Sequence, residues 1–349
     1  MLAEHLVAAI SARSAPSPTP TKDGGIFLYE FQPVVTQKAI FKKSAAPPNC
    51  VAVNDSHIFA GQVDKAVVHV YNREKGNQEA IIPFPERITC LTLAALGTLL
   101  VLGTQGGRLI LWEVITSPSH LQAVTAVAVD PTSNFAFTVS TDTYIHIWSL
   151  PRLLAFNATP ESLSPTNTIS AHRSSISALT VGHSTTAACF AISSDDGGTV
   201  QVWDIRTGNI LKSYLTAEAS RVTSLAVDPA DRGFYIGFED GSVQMVHFFS
   251  QTVKPSIAEL SSGAELTRDP SHLRATNTPV ALQQISRWIP EVGNQTGPVL
   301  SLALSWDGTM LLSGHTDGRI IAWDIGSSRY ESTIATLPGP VSNLMILHP

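Results

Sequence analysis

The sequence is poor in charge, and it has no long hydrophobic run. Only 14% of the 349 residues are charged, and 22 Lys and Arg stand against 28 Asp and Glu. A general electrostatic affinity for nucleic acid or for an anionic membrane is therefore not expected, because both need an excess of positive charge. The longest apolar run covers residues 92–102. This run is shorter than the ~20 residues that a bilayer requires, so we expect no membrane partner.

Cysteine is scarce, and the common catalytic motifs are missing. The three cysteines, Cys50, Cys90 and Cys189, lie far apart in the sequence. This spacing predicts neither a disulfide framework nor a cysteine zinc site, and a reducing compartment fits it best. The sequence has no Gly-x-Gly-x-x-Gly, P-loop, His-Glu-x-x-His or Gly-x-Ser-x-Gly motif, and its 11 histidines show no metal-ligand spacing. We therefore expect no enzyme activity, no cofactor and no metal.

One repeated pattern organises the chain: apolar residues, a turn with Gly or Asp, alternating apolar residues and then an aromatic residue. The clearest copies, residues 192–204 and 311–324, end in Trp-Asp, and the equivalent positions of all copies are 29, 71, 112, 148, 203, 246 and 323. Three of the spacings match the period of about 40–45 residues of a WD-repeat blade, while two are longer and one is shorter. We predict an all-β, seven-bladed WD40 propeller over residues 1–349, with inserts at about 151–171 and 250–296.

The ends of the sequence predict how this ring closes. Residues 339–347 form another inner strand with no blade after it, whereas the N-terminal unit has strands near 4–12, 25–31 and 35–41 but no inner strand before them. A single four-stranded blade cannot bury both faces, but a ring of blades can. We predict that the C-terminal strand completes the first blade, because this pairing removes an open sheet edge.

The third repeat is unusually short. Eight positions lead from Trp112 to His120, whereas 18 lead from Trp203 to Arg221 in the equivalent place. This length leaves no room for an outer strand and its turns. Either the third blade lacks its outer strand or a loop near Thr116 and Ser117 is missing from the sequence, and we favour the second interpretation.

Both inserts contain candidates for partner binding. Residues 278–290 are typical of a short helix with Thr278 as N-cap and Pro290 as stop, and apolar residues at spacings of three and four share one face. This helix either packs back on the propeller, which we favour, or docks a partner. The candidate contacts in the two inserts are Arg287, Trp288, Arg152, Leu153 and Leu154.

A polar set of histidine, serine, aspartate and tryptophan recurs in three repeats. The sets are His120, Ser140, Asp142 and Trp148; His172, Ser193, Asp196 and Trp203; and Ser313, Asp317 and Trp323, which lacks a histidine. A Ser-His-Asp set invites a hydrolase interpretation, but a catalytic triad would not recur in successive blades. A buried Asp at a turn needs donors, which a neutral His and an indole N–H supply. We therefore predict networks that fix the geometry of the blades.

Two arginines are candidates for the rim of the channel. Arg87 and Arg221 each precede an inner strand, so both are expected at one rim. Each arginine side chain is either solvated, which is the default, or paired with a carboxylate of a partner protein.

The whole pattern resembles the Ipi-type WD-repeat pre-rRNA-processing proteins, which are fungal-type subunits of the Rix complex. The resemblance is carried by the order of good and degenerate repeats, by His-Leu-Gln-Ala-Val at 120–124, by Ile-Trp-Ser-Leu-Pro-Arg-Leu-Leu at 147–154, by the long insert before the seventh repeat and by the closing Gly-Pro-Val-Ser-Asn-Leu at 339–344. It implies a non-enzymatic scaffold of the nucleus, in nucleolus and nucleoplasm, without catalytic residues.

The same resemblance implies the partners. They are a Rix-type helical-repeat scaffold protein, an Ipi-type α-solenoid subunit, the midasin-type AAA ATPase that the complex helps to recruit, and the pre-ribosomal particle whose internal transcribed spacer RNA is removed. Proteins of this kind also carry a C-terminal helical extension that pairs two copies. This sequence stops at Pro349, so a homodimer through that element is not predicted from it. The alternative function is a WD40 adaptor of a chromatin or ubiquitin-ligase complex, and the degenerate early repeats and large inserts argue mildly against it.

Overall fold

In the part of the chain that the structure describes, seven sheets surround a central channel. The structure is a computed structural model that describes residues 4–11, 24–31, 34–112, 115–156, 159, 161, 163–170, 172–184, 189–248, 279–290 and 296–347. Within these residues, the inner strand of each sheet lies beside the inner strand of the next sheet, and the seventh returns to the first. The predicted seven-bladed propeller is confirmed.

The strands are numbered in chain order. They are β1 (His5–Ile10), β2 (Gly24–Glu30), β3 (Thr36–Lys42), β4 (Val51–Val53), β5 (His57–Gly61), β6 (Val67–Asn72), β7 (Gln78–Pro83), β8 (Ile88–Ala94), β9 (Leu99–Thr104), β10 (Arg108–Leu111), β11 (Ile115–Pro118), β12 (Val124–Val129), β13 (Phe135–Ser140), β14 (Tyr144–Ser149), β15 (Asn167–Ser170), β16 (Ile176–Val181), β17 (Phe190–Asp195), β18 (Thr199–Asp204), β19 (Ile210–Leu215), β20 (Val222–Val227), β21 (Gly233–Phe238), β22 (Val243–His247), β23 (Val280–Ala281), β24 (Val299–Leu304), β25 (Met310–His315), β26 (Arg319–Asp324), β27 (Arg329–Thr336) and β28 (Val341–Leu347). A short helix, α1 (Leu150–Leu153), follows β14, and 3-10 helices cover Ala217–Ala219 and Gln284–Ser286.

The blades follow the sequence repeats. From the channel outward, blade 1 is β28-β1-β2-β3, blade 2 is β4 to β7, blade 3 is β8 to β11, blade 4 is β12 to β15, blade 5 is β16 to β19 with β23 added outside, blade 6 is β20 to β22, and blade 7 is β24 to β27. The second strand of a blade is buried along nearly its whole length, as in Leu99–Thr104 of blade 3 and Gly233–Phe238 of blade 6, so side chains on both of its faces pack against the neighbouring blades. Blade 6 has three strands among the described residues.

Glycine shapes the turn between the second and third strands of four blades. These glycines adopt positive φ angles, where a Cβ atom is strained: Gly107 at 78°, Gly198 at 78°, Gly241 at 85° and Gly318 at 92°. A Cβ on Gly198 would also lie 2.3 Å from Thr216 Oγ1. The Gly residues of the sequence pattern therefore mark tight hairpins that lie close to the segment leading to the next blade.

The last strand closes the ring. Strand β28 pairs with β1 in antiparallel register, with Leu6 opposite Ile346 and Ala9 opposite Asn343, as the sequence predicts. Ser342 Oγ donates to the carbonyl of Ala46 at 2.6 Å, and Asn343 Oδ1 accepts the N–H of Cys50 at 3.1 Å. The closing strand is thus bonded to the first blade and to the segment that enters the second.

Blade 3 has an outer strand. Strand β11 pairs with β10 from Arg108 opposite Pro118 to Leu111 opposite Ile115. The interpretation that this blade lacks its outer strand is wrong, because a strand of only four residues fills the position. The other interpretation, a loop missing from the sequence near Thr116 and Ser117, stays a prediction. Ser117 Oγ also donates to the carbonyl of Leu163 at 2.5 Å, which joins this strand to the insert of blade 4.

The segment before blade 7 is mostly extended and contains a single 3-10 turn at Gln284–Ser286 in place of the predicted α-helix. Strand β23 adds in parallel to the outer edge of blade 5, with Tyr214 opposite Val280. Trp288 then exchanges two backbone hydrogen bonds with Val243 at the outer edge of blade 6, at 2.6 and 3.0 Å. The predicted helix over 278–290 is wrong, because the unpaired edges of two blades offer the backbone hydrogen bonds that a helix would supply. Thr278, the predicted N-cap, lies outside the described residues.

Candidate functional site

The polar network of blade 5 is a buried chain of four side chains. Trp203 Nε1 donates to Ser193 Oγ at 2.9 Å, and Ser193 Oγ lies 2.7 Å from His172 Nε2. His172 Nδ1 lies 3.0 Å from Asp195 Oδ2. The carboxylate is therefore that of Asp195, and the predicted Asp196 does not join the network.

Asp195 also organises its turn. Its Oδ1 accepts the backbone N–H groups of Gly197 at 3.1 Å and Thr199 at 2.8 Å. Burial alone would raise the pKa of Asp195, but the hydrogen bonds from His172 and from the Thr199 N–H outweigh burial, so the pKa is lowered. The carboxylate is thus held ionised. Its hydrogen bonds connect β17 to the following turn, to the start of β18 and to His172 in the segment before the blade.

Blade 4 repeats this arrangement with one exchange. His120 Nδ1 lies 3.0 Å from Asp142 Oδ2, and its Nε2 lies 2.9 Å from Thr138 Oγ1. Trp148 Nε1 donates to the same hydroxyl at 3.0 Å. Thr138 takes the place predicted for Ser140, whose Oγ instead accepts the N–H of Asp142 at 3.2 Å. Burial lowers the pKa of His120, which favours a neutral imidazole in this chain.

Blade 7 has a histidine after all. Trp323 Nε1 donates to Ser313 Oγ at 2.7 Å, and the hydroxyl lies 2.8 Å from His315 Nε2. His315 Nδ1 reaches the carbonyl of Gly297 at 3.2 Å, so no carboxylate is needed. The expectation that this set lacks a histidine is wrong, and Asp317 lies outside the network, bonded to Arg319 at 2.6 Å.

The hydroxyl groups of these networks are not accessible to a substrate. The hydroxyl-bearing residues Thr138, Ser193 and Ser313 are fully buried, and each hydroxyl is occupied by an indole and an imidazole. A nucleophile must meet its substrate, which a fully buried hydroxyl does not. The geometry therefore fits cross-bracing of strands, and the stabilising effect of the networks stays a prediction.

The rim arginines form ion pairs between neighbouring blades. Arg87 Nη1 lies 3.2 Å from Asp64 Oδ1 of blade 2, and Arg221 Nε lies 2.8 Å from Asp196 Oδ1 of blade 5. Each aspartate lies in the turn between the second and third strands; the Arg87–Asp64 pair is exposed and the Arg221–Asp196 pair is half-exposed. Such pairs contribute about 0–1 kcal/mol each. The partners of Arg87 and Arg221 in this structure are thus carboxylates of the same chain, and their binding to another protein stays a prediction.

Arg287 and Trp288 anchor the insert to the propeller. Arg287 Nη1 lies 3.1 Å from Asp240 Oδ2, and its guanidinium stacks 3.9 Å over the ring of Phe238. Trp288 is 6% exposed and packs between blades 6 and 7 against Trp323. The insert thus packs on its own propeller, which is the alternative that the sequence favoured. The prediction that these two side chains contact a partner protein is therefore corrected, because both are buried in the folded chain.

Helix α1 divides its candidate residues between core and surface. Leu153 is buried with Leu150 in a cluster that joins blades 3 and 4. The prediction that Leu153 contacts a partner protein is therefore corrected as well. Arg152 is exposed and donates to the carbonyl of Glu161 at 3.2 Å, and Leu154 is 42% exposed. Phe156, which the sequence analysis did not single out, is fully exposed beside them. Arg152, Leu154 and Phe156 thus form an accessible surface on blade 4.

The described part of the chain contains no metal site and no membrane-spanning helix. No group of three or more His, Cys, Asp or Glu side chains in the ranges given above is placed to hold a metal ion. No helix there is long and apolar enough to cross a bilayer. Cys50, Cys90 and Cys189 are buried free thiols, and burial raises the pKa of Cys90 to about 12. Thiolate chemistry is therefore disfavoured at this cysteine.

Comparison with known proteins gives one family match. The model of the WD domain, G-beta repeat family matches residues 113–149, 163–204 and 289–324. These ranges end at the Trp-Ser and Trp-Asp positions of blades 4, 5 and 7, the three blades with the tryptophan–hydroxyl–histidine networks.

Curated relatives match along most of the chain. The pre-rRNA-processing protein IPI3 of Yarrowia lipolytica is 29% identical over 79% of this chain and 61% of its own length. The pre-rRNA-processing protein crb3/ipi3 of Schizosaccharomyces pombe is 24% identical over 88% of this chain and 71% of its own. The human WD repeat-containing protein 18 is 28% identical over 87% and 65%. This chain thus spans about two thirds of the length of these relatives.

Proposed function

This chain is a WD40-repeat propeller that is similar to the pre-rRNA-processing proteins named IPI3, and we propose from this premise that it acts in ribosome biogenesis as a non-enzymatic scaffold. The observation that carries the proposal is the similarity to those relatives over 79–88% of the chain. A closed ring of seven sheets suits this role, because binding to a rigid surface costs little reorganisation.

The finer proposal concerns the particle and the partners. We propose that the chain works in the nucleus on precursors of the large ribosomal subunit and supports removal of internal transcribed spacer RNA. Its proposed partners are a Rix-type helical-repeat protein, an Ipi-type α-solenoid subunit and the midasin-type AAA ATPase. The names of these relatives support the rRNA-processing role. The choice of partners is supported by the resemblance in the sequence alone.

The accessible surface on blade 4 is a reasonable contact for such a partner. Arg152 lies on a helix that is fixed by buried Leu150 and Leu153, and the exposed apolar side chains of Leu154 and Phe156 lie in the residues that follow the helix. Exposed apolar groups beside a charged group on a rigid element are typical of protein interfaces.

Affinity purification of the tagged full chain from nuclear extract tests the function. We expect ribosome-assembly factors to co-purify and precursor rRNA that retains the internal spacer to accumulate when the protein is depleted. Co-purification of cullin or histone-modifying subunits, with normal rRNA processing, would replace the proposal with the adaptor function.

A matched pair of variants tests the surface. Phe156→Asp should reduce recovery of the partners, whereas Leu121→Asp, at an equally exposed leucine before the inner strand of blade 4, should not. Equal recovery with both variants would remove blade 4 from the interface.

A further inference from the structure

The two serines that precede a proline in the described part of the chain differ in accessibility. Ser117, before Pro118, is 1% exposed in β11, and its Oγ donates to the carbonyl of Leu163. Ser164, before Pro165, is exposed in a turn of the insert of blade 4. A kinase that recognises serine before proline therefore meets the same pair of residues once buried in a sheet and once at the surface.

The backbone around Ser164 suits a kinase that binds its substrate in extended form. A residue that precedes proline is restricted to extended conformations, and proline has no N–H to donate to a neighbouring strand. The chain joins the edge of blade 4 at Thr166, whose N–H donates to the carbonyl of Ile147 at 2.7 Å. Ser164 itself bonds within its turn, where its Oγ and its N–H donate to the carbonyl of Glu161 at 2.6 and 3.4 Å. The Ser164 hydroxyl can therefore be reached without separating two strands.

An arginine lies beside this hydroxyl. Arg152 Nη2 donates to the same carbonyl of Glu161 at 3.2 Å. Two donors to one oxygen are neighbours, so a phosphate on Ser164 Oγ would lie next to the Arg152 guanidinium, whose planar fork can bind phosphate through two parallel hydrogen bonds. Glu161 is the one acidic residue among the described residues of 150–170, and it is exposed, so water and salt screen its repulsion.

We propose that Ser164 is a phosphorylation site for a proline-directed kinase and that its phosphate binds Arg152. In this step the bond between the γ-phosphorus of ATP and its bridging oxygen breaks, a bond from that phosphorus to Ser164 Oγ forms, ADP leaves, and the hydroxyl proton passes to a base of the kinase. The phosphate adds a charge of about −1.5 to −2 at neutral pH, so the charge at the surface formed by Arg152, Leu154 and Phe156 changes sign. This proposal goes beyond the proposed function and does not depend on it, since the reaction is a property of the purified chain.

Incubation of the purified full chain with a purified proline-directed kinase and Mg-ATP, followed by mass spectrometry of each site, tests the modification. We expect Ser164 to be phosphorylated at least about tenfold faster than Ser117, because burial in a sheet protects Ser117. Synthetic peptides of residues 114–123 and 161–170 are the matched controls: they place serine and proline at the same positions, and both should be modified. A folded chain without phosphate on Ser164, or with equal rates at Ser164 and Ser117, would overturn the proposal.

Titration of the phosphorylated chain by phosphorus NMR tests the pair with Arg152, and the signal of interest is the one that is missing from Ser164→Ala. A neighbouring cation lowers the second pKa of a phosphate below its ordinary value of about 6. We expect this pKa to rise toward that value in Arg152→Gln and to stay unchanged in Arg206→Gln, which removes an exposed arginine from the turn after β18 of blade 5. An equal pKa in wild type and Arg152→Gln, or an equal rise in both variants, would overturn the pair. Because no cell extract is involved, both results are independent of the purification that tests the proposed function.

Discussion

Two adjacent carboxylates of blade 5 should differ sharply in their contribution to stability. Asp195 is buried and accepts bonds from His172, from Gly197 and from Thr199, whereas Asp196 is half-exposed and meets only Arg221 through its side chain among the described contacts. The change to test is Asp195→Ala against Asp196→Ala, which remove the same atoms one residue apart.

The magnitudes follow from these environments. A hydrogen bond to a charged group contributes about 1.5–3 kcal/mol, but three such bonds to one buried carboxylate are not additive, and its desolvation opposes them. We therefore expect Asp195→Ala to lower the free energy of unfolding by about 2–4 kcal/mol. An exposed ion pair contributes about 0–1 kcal/mol, so Asp196→Ala should lie in that range.

Urea denaturation of both variants, followed by tryptophan fluorescence and circular dichroism, measures the difference. Equal shifts of the two midpoints, or a larger shift for Asp196→Ala, would refute the assignment of the network to Asp195. If the two probes give different midpoints, the order of the midpoints still decides, because the comparison does not need a two-state free energy.

The pH dependence of the same pair has a definite sign. The pKa of Asp195 is lowered in the fold, so its unfolded value, about 3.9, is the higher one. The stabilisation by Asp195 is therefore fully present above that value and is lost as the pH falls through the folded pKa. The difference in the free energy of unfolding between wild type and Asp195→Ala should narrow as the pH falls below about 4. A difference in the free energy of unfolding between wild type and Asp195→Ala that grows in acid would contradict this reasoning.

Three further outcomes are expected. Leu153→Ala should cost about 2–5 kcal/mol because it opens a cavity between blades 3 and 4, whereas Leu154→Ala should stay within about 0.5 kcal/mol, and equal effects in thermal melts would contradict the burial of only one leucine. Trp288→Ala should cost about 3–5 kcal/mol by the same measurement, and an unchanged melting temperature would refute its role as an anchor. Deletion of residues 341–347 should expose the edge of β1 and give oligomers in light scattering, and a stable monomer would contradict closure by β28.

The ring itself could be predicted because its signal repeats. Seven aromatic or equivalent positions and one inner strand left over at the end of the sequence were enough to place the blades and to predict the pairing of β28 with β1. The assignments within the networks were less accurate, although the sequence did contain the signal. In a strand, residues two apart share a face, so Ser193 selects Asp195 and Ser313 selects His315.

The segment before blade 7 could not be predicted in this way. Its apolar residues recur at spacings of three and four, which favours a helix locally. The outcome is decided by the open edges of β19 and β22, which become available only when blades 5 and 6 are formed.

The bond between Ser342 and Ala9 joins residues 333 positions apart. During translation, β1 leaves the ribosome long before β28 has been made, so the nascent first sheet waits with one side unpaired until residues 341–347 have been made. Bringing such distant segments together is slow, and an unpaired strand invites aggregation in the meantime. A chaperone that shields β1 during this interval would therefore raise the yield of native protein, and a product of premature termination that lacks β28 would keep this strand uncovered.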